Sequence, residues 1–134
     1  MAEVFVSYKT EEHVVAESVV KELVAAGYSV WWDGDLTPRS SWDAEIEEEI
    51  SVAKAVIVLW SPLSVSTHSF VRNEAEYAKA NNKLVPAIVA RCEAPLAFRR
   101  TQTANLTTRK SDDANHSEMR KVLSRTGALV GRVA

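Results

Sequence analysis

Residues 55–60 read Ala-Val-Ile-Val-Leu-Trp, and Ser61-Pro62 follows at once. The run is apolar throughout and rich in β-branched and aromatic side chains, so it predicts a strand that ends at the serine and proline. A strand whose consecutive residues are all apolar has both faces buried, which is typical of a parallel sheet covered by helices. This segment therefore indicates an α/β fold.

Strand and helix signals alternate on both sides of this run. Short apolar runs predict further strands at 4–6, 28–32, 84–89 and, weakly, 103–106. Strands that alternate with helical segments imply a parallel sheet with helices on both faces. We therefore predict a flavodoxin-like, doubly wound domain of about five parallel strands in the order 2-1-3-4-5. We expect residues 1–134 to form this one domain.

Several residues predict where individual elements begin and end. Thr10 has the chemistry of a helix cap, and Gly27 supplies the left-handed residue that stops the first helix. Pro86 interrupts the fourth strand and predicts an irregular or edge-like stretch. The remaining helices are predicted at 42–53, 70–82 and 114–126.

The composition excludes several classes of protein. Of the 134 residues, 46% are hydrophobic and 25% are charged, which is ordinary for a globular domain. The formal charge of -2 gives no strong field for nucleic acid or an anionic membrane, so we expect neither as a partner. Cys92 is the single cysteine, which excludes an internal disulfide and favours a reducing, cytoplasmic environment. We find neither a signal peptide nor an apolar run long enough for a membrane span.

The fold places a ligand at the carboxyl ends of the strands, near the switch point between strands one and three. The segments that meet there are 7–10, 33–42 and 61–74. A receiver domain has acidic residues after strand one and an aspartate after strand three, where this chain has Ser7-Tyr8-Lys9 and Trp60-Ser61-Pro62, and no GxGxxG, GxxxxGK[ST] or GxSxG motif occurs. The three histidines are scattered, so a metal site is not expected.

The motifs along the chain resemble those of TIR (Toll/interleukin-1 receptor) domains. Residues 4–8 (VFVSY) are similar to the opening box of that family, and Val85-Pro86 is similar to its fourth-strand box. The segments that match in the same order are 27–33, 41–43, 56–61 and 69–74. The resemblance covers about residues 4–90, and the loop after the second strand is bacterial in type. The last 30 residues or so match the family poorly.

The family has one branch of signalling scaffolds and one branch that cleaves NAD⁺ at the nicotinamide–ribose bond. The second branch uses one glutamate on the helix after strand three, and Glu74 matches it. Nicotinamide leaves NAD⁺ as a neutral molecule, so the leaving group needs no general acid, and one carboxylate is sufficient to stabilise the ribose cation. From the residue pattern alone, we would expect Glu74 to be a solvated helix residue, as we expect for Glu76, and the resemblance is what implies a catalytic role. NAD⁺ would be the substrate, and no cofactor is implied.

The resemblance also implies substrate contacts, each with a structural alternative. Phe70 either lines the pocket or packs in the core, and Lys9 either pairs with phosphate or faces solvent. Trp42 borders the pocket or anchors packing, and Asp35 contacts ribose or forms a turn. Tyr8 and Ser66 are the other candidates for lining the pocket.

The loop after strand two is the segment through which relatives assemble head to tail. Its candidate interface residues are Asp33, Gly34, Leu36, Pro38 and Arg39. A heterologous contact of this kind gives filaments, so the resemblance implies self-association that activates NAD⁺ cleavage. The alternative is a non-catalytic TIR interaction module, acting as a scaffold or on host TIR adaptors. The expected setting is bacterial cytoplasm or, for a virulence role, delivery to a host cell.

Overall fold

The computed structural model describes residues 2–32, 44–65, 70–95, 98, 103–107 and 117–131. Within them the strands are β1 (Val4–Ser7), β2 (Val30–Trp31), β3 (Ala55–Trp60), β4 (Leu84–Ile88) and β5 (Ala104–Asn105). The helices are α1 (His13–Ala25), α2 (Ala44–Val52), α3 (Phe70–Ala80) and α4 (Ser117–Val130), with a 3₁₀ turn (Thr10–Glu12) before α1. None of the helices in this part of the chain is long and apolar enough to cross a membrane.

All five strands are parallel and lie in the order β2-β1-β3-β4-β5. This arrangement confirms the predicted flavodoxin-like fold and its strand order. β3 is the central strand, and each of its six residues is buried, as its apolar run predicts. Ser7, the last residue of β1, pairs with Val58 of β3, so the carboxyl ends of these two strands lie side by side.

The two faces of the sheet carry separate cores, because successive side chains of a strand point to opposite faces. On the α1/α4 face, Val4 and Val6 pack against residues of α1 and α4 such as Leu23 and Met119. On the α2/α3 face, Phe5 packs with residues of α2 and α3 such as Ile50. Ser7 follows Phe5 by two residues, so its side chain is directed to the α2/α3 face.

Pro86, predicted to mark an irregular or edge-like stretch, lies inside a continuous strand. Pro86 lies within β4, which pairs with β3 on one side and β5 on the other. The backbone groups of Lys83 and Val89 face β3, since Val56 donates to the Lys83 carbonyl and Val89 donates to that of Trp60. Alternation then turns the nitrogen of Pro86 away from β3 and toward the β5 side, where the described pairing begins at Ala87.

The first helix begins later than Thr10 predicts. The Glu12 amide donates to the Lys9 carbonyl at 2.8 Å and closes the 3₁₀ turn, so α1 starts at His13 with Glu12 as its N-cap residue. Its C-terminus agrees with the prediction. Gly27 has φ +95°, and the amides of Gly27 and Tyr28 donate to the carbonyls of Val24 and Leu23, which is a Schellman motif.

The last helix ends about four residues later than predicted. α4 continues through Gly127, which is buried within the helix, to Val130. Gly131 has φ +89° and its amide donates to the Gly127 carbonyl, so this second glycine provides the left-handed stop.

Candidate active site

A serine and a glutamate meet at the carboxyl end of β1. The Ser7 hydroxyl donates to Oε1 of Glu74 at 2.6 Å. The two residues are 67 positions apart in sequence, and both are buried, with 1% of Ser7 and 0% of Glu74 exposed. The pair lies on the α2/α3 face beside the junction of β1 and β3, which is the ligand position that the topology predicts.

The inward stripe of α3 explains why Glu74 is buried. Val71, Ala75 and Ala78 are fully buried at helical spacing, and they pack in the core of the α2/α3 face. Glu74 occupies the same stripe, three residues after Val71, so its carboxylate enters the sheet–helix interface. Glu76, two residues further on, is exposed, as we expect for a surface residue. Burial excludes the interpretation of Glu74 as a solvated helix residue.

A tight serine turn follows β3 and leads toward α3. The Ser64 hydroxyl accepts a hydrogen bond from the Ser61 amide at 2.7 Å and donates to the Leu59 carbonyl at 3.0 Å. Both serines are fully buried. Because the backbone groups of the turn are held by these side chains, the chain leaves β3 in one fixed direction.

Aromatic rings form part of the core on the α2/α3 face. Phe5 stacks on Trp31 with ring centroids 4.9 Å apart and an interplanar angle of 11°. Trp60, at the carboxyl end of β3, contacts Phe98 at 5.4 Å and is fully buried. Within the described part of the chain, Nε1 of Trp60 has no hydrogen-bond acceptor. This face of the sheet is therefore packed with apolar side chains up to the last residue of β3.

The candidate residue Tyr8 lies on the other face of the sheet. It is 6% exposed and belongs to the core of the α1/α4 face. Its ring lies 6.0 Å from that of Trp32 and 6.5 Å from that of His13, and these two rings are 5.4 Å apart. The structure therefore does not bring the Tyr8 ring together with Glu74. Lys9, the next residue, is half-buried at the same edge of the sheet.

Most of the other candidate side chains lie outside the described part of the chain. Phe70 is the first residue of α3, one helical turn before Glu74, and its side chain is outside the description. The remaining site and interface candidates also lie outside the described residues; they are Asp33, Gly34, Asp35, Leu36, Pro38, Arg39, Trp42 and Ser66.

Sequence reasoning assigned no role to Ser7, although it belongs to the quoted opening box. The available signal was alternation: Val4, Val6 and Tyr8 form one apolar series, and Ser7 belongs to the other series with Phe5. This pattern predicts that Ser7 and Tyr8 face opposite ways. It does not predict the partner of Ser7, because that depends on how α3 docks on the sheet.

The described residues offer few other groups suited to metal binding or catalysis. They contain no group of three or more His, Cys, Asp or Glu side chains placed to hold a metal ion. Burial, together with the negative charge of Glu12, raises the pKa of the Cys92 thiol, so this cysteine is a weak nucleophile. A cavity of about 470 Å³ lies between β4 and α4, lined by Pro86, Thr103 and Arg125 among others. α4 packs on the face opposite to Ser7 and Glu74, so this cavity is separate from the pair.

Comparisons with solved structures show the same fold. The TIR domain of the Toll-related receptor TRR-2 from Hydra magnipapillata aligns with a TM-score of 0.65 and 18% identity, over 78% of this chain and 84% of that one. The TIR domains of the activated Roq1 resistosome, which recognises the pathogen effector XopQ, align with a TM-score of 0.55 and 18% identity. This alignment covers 98% of this chain and 82% of that one.

A third solved structure is a metazoan TIR-STING receptor from C. gigas in complex with 2',3'-cGAMP. It aligns with a TM-score of 0.70 and 16% identity over 99% of this chain, which spans 40% of that receptor. No curated protein matches the chain.

The sequence model of the TIR domain matches residues 4–123. This match extends the resemblance beyond residue 90, so the expectation that the last 30 residues or so match the family poorly is wrong for most of them. A match over this much of the sequence, together with the shared strand order, shows that the chain belongs to the TIR domain family.

Proposed function

We propose that this chain cleaves NAD⁺ at the nicotinamide–ribose bond and releases nicotinamide with ADP-ribose or a cyclic isomer of it. The observation that carries the proposal is the fully buried carboxylate of Glu74, held by Ser7 at the carboxyl edge of the sheet. Glutamate is almost never fully buried unless it is paired, because its carboxylate loses hydration in the interior. A buried glutamate at the ligand edge of this fold is therefore a candidate catalytic group.

The chemistry needs few protein groups. When the bond between ribose C1′ and the nicotinamide nitrogen breaks, both electrons go to the ring, which becomes neutral and needs no proton. The positive charge moves to the ribose, and a carboxylate beside it stabilises the resulting oxocarbenium ion more than it stabilises the substrate. Addition of water to C1′ and loss of a proton complete the hydrolysis. Glu74 is the residue proposed for this role.

The remaining substrate contacts are proposals from the family resemblance. Lys9 lies at the same edge as Ser7 and is suited to a phosphate as a point charge. Phe70 is one turn from Glu74 on the same helix, which is the spacing for two side chains that share a helix face. Asp35, Trp42 and Ser66 complete the proposed pocket. Tyr8 is suited to a supporting position, because its ring packs on the opposite face.

We further propose that self-association activates the enzyme. The family resemblance assigns head-to-tail assembly to the loop that contains Asp33, Gly34, Leu36, Pro38 and Arg39. In chain order this loop lies between β2 and α2, and β2 is the neighbour of β1 in the sheet. A neighbouring copy bound there would complete the site, so clustered protein would be more active than dilute monomer.

The second candidate function is a non-catalytic TIR interaction module, with host TIR adaptors among its partners. The family resemblance carries this alternative. Val14 and Val24 of α1 are 76% and 56% exposed, but they are ten residues apart and form no continuous apolar patch, so they do not by themselves mark a contact surface. This function needs no substrate at Glu74.

Nicotinamide release tests the two candidates. The purified protein, at high concentration and with a crowding agent, is incubated with NAD⁺, and nicotinamide is followed by chromatography. We expect Glu74→Gln to lower the rate at least about 100-fold, and Glu76→Gln, a matched change on the exposed side of α3, to leave it within about twofold. Release that survives in Glu74→Gln would keep the activity and reject the site. No release from clustered wild-type protein would favour the interaction module.

A further inference from the structure

We infer that Ser7 is the positioning residue of the site: its hydroxyl fixes the orientation in which Glu74 meets the ribose. The inference rests on the proposed function. The donor–acceptor distance of 2.6 Å falls in the range of hydrogen bonds from a hydroxyl to an ionised carboxylate. Such bonds are about twice as strong as those between neutral groups, so this contact selects among the orientations of the carboxylate.

The support for Ser7 is a strand that is paired within the sheet. β1 lies between β2 and β3, and Ser7 itself is in register with Val58 of the central strand. Two residues earlier, Phe5 is fixed by its stacking on Trp31. A hydroxyl on a paired interior strand holds its position better than one on a loop, and this precision is what a catalytic carboxylate requires.

Glu74 needs such a restraint because its side chain is long. A glutamate has three side-chain torsions, and the helical backbone of α3 does not by itself set them. The hydrogen bond from Ser7 takes up one of about four acceptor positions of the carboxylate. Without that bond the carboxylate would take up other orientations, and a misplacement of about 1 Å at a reacting centre can cost roughly 100-fold in rate.

The competing interpretation is that Ser7 only satisfies a buried acceptor. In that case its loss would lower stability, and the properly folded fraction would turn over substrate at the normal kcat. The positioning role instead predicts a lower kcat for fully folded protein, with a smaller change in KM. Activity measured well below the unfolding temperature separates the two interpretations, because the variants are then folded. The Ser7 variants are compared with a variant that lacks a buried hydroxyl elsewhere in the protein.

Three substitutions of Ser7 provide the test. Ser7→Ala removes the donor, Ser7→Cys restores the volume with a weak donor, and Ser7→Thr keeps the hydroxyl. We expect Ser7→Ala and Ser7→Cys to lower kcat of nicotinamide release roughly 10- to 100-fold, with KM within about threefold, and Ser7→Thr to retain most of kcat. The matched control is Thr126→Val, which removes a buried hydroxyl that donates to Val122 within α4 and should leave kcat unchanged.

A kcat of Ser7→Ala within twofold of wild type, or recovery of kcat in Ser7→Cys, would overturn the inference. A second readout works without activity. In protein labelled with ¹³C-glutamate, the carboxyl resonance of Glu74 is identified by its loss in Glu74→Gln. We expect one sharp resonance in wild type and a shifted or broadened one in Ser7→Ala. An unchanged resonance would reject positioning by Ser7, whereas a changed resonance in a protein that releases no nicotinamide would reject the proposed function alone.

Discussion

The ammonium group of Lys83 lies 2.7 Å from the carbonyl oxygen of Ile50 in the last turn of α2. The same group donates to the carbonyl oxygens of Ala53 at 3.0 Å and Ser51 at 3.3 Å. The last carbonyls of a helix lack intrahelical donors and carry the negative end of the helix dipole, so a cation there is favourable. Lys83 is 8% exposed, and burial lowers the pKa of its ammonium group. It thus joins the end of α2 to the start of β4.

Replacing Lys83 by methionine tests this contact, because methionine keeps most of the aliphatic chain but cannot donate. We expect Lys83→Met to lower the free energy of unfolding by about 1–3 kcal/mol, since buried carbonyl oxygens lose their donor. Denaturant unfolding measures the change. Lys54→Met is the matched control, because Lys54 is exposed and should cost less than about 0.5 kcal/mol. Equal stability of the two variants would show that the contact contributes nothing.

The serine turn after β3 gives a second prediction. Ser64→Ala removes the acceptor of the Ser61 amide and leaves that buried group unpaired, so we expect a loss of about 1–3 kcal/mol in the free energy of unfolding. The control is Ser51→Ala, which removes an exposed hydroxyl that donates to the Glu48 carbonyl. Its effect should stay within about 0.5 kcal/mol. A Ser64→Ala variant as stable as Ser51→Ala would contradict the structural role of the turn.

The thiol of Cys92 should react slowly at neutral pH. Burial and the charge of Glu12 both disfavour the thiolate, and the thiolate is the nucleophile, so the raised pKa lowers the reactive fraction below that of a free cysteine. The rate of alkylation by iodoacetamide should therefore keep rising with pH beyond 9.

The charge of Glu12 can be tested separately from burial. Glu12→Gln removes the negative charge and should raise the alkylation rate at pH 8 about two- to threefold, by bringing the thiol pKa down. Glu11→Gln, a neighbouring charge change, is the control. Mass spectrometry of the labelled peptide gives the rates, and equal rates in the two variants would remove Glu12 as a cause.

The bounds of the central strand β3 could be predicted from the sequence, whereas those of the edge strand β2 could be predicted less well. β3 matches its predicted bounds because every residue from Ala55 to Trp60 is apolar and the signal is continuous. β2 is shorter than the predicted 28–32. The Tyr28 amide donates to the Leu23 carbonyl at the end of α1, so this amide caps the helix and does not pair in the sheet. Such competition between neighbouring elements is not visible in a hydrophobic pattern.

The candidate site divides in a similar way. Glu74 was identified through the family resemblance, and its burial follows from the helical spacing of Val71, Ala75 and Ala78. The family resemblance implies that Tyr8 and Glu74 share one pocket at the sheet edge. The order of strands and loops along the chain predicts which residues reach this edge of the sheet. Which face of the sheet a side chain takes depends on the alternation along the strand, and this alternation directs Ser7 toward Glu74 and Tyr8 to the opposite face.

Activation by self-association makes the last prediction. If a neighbouring copy completes the site, nicotinamide release per mole of enzyme should rise with protein concentration, because the assembled fraction rises with it. The sharper test mixes dilute wild-type protein with an excess of Glu74→Gln, which is expected to be inactive but retains the loop. The mixture should be more active per wild-type molecule than wild type alone. Adding Leu36→Asp to the Glu74→Gln chain places a charge in the proposed contact and should abolish this stimulation. Activity that is independent of both concentration and added variant would mean that the monomer carries a complete site.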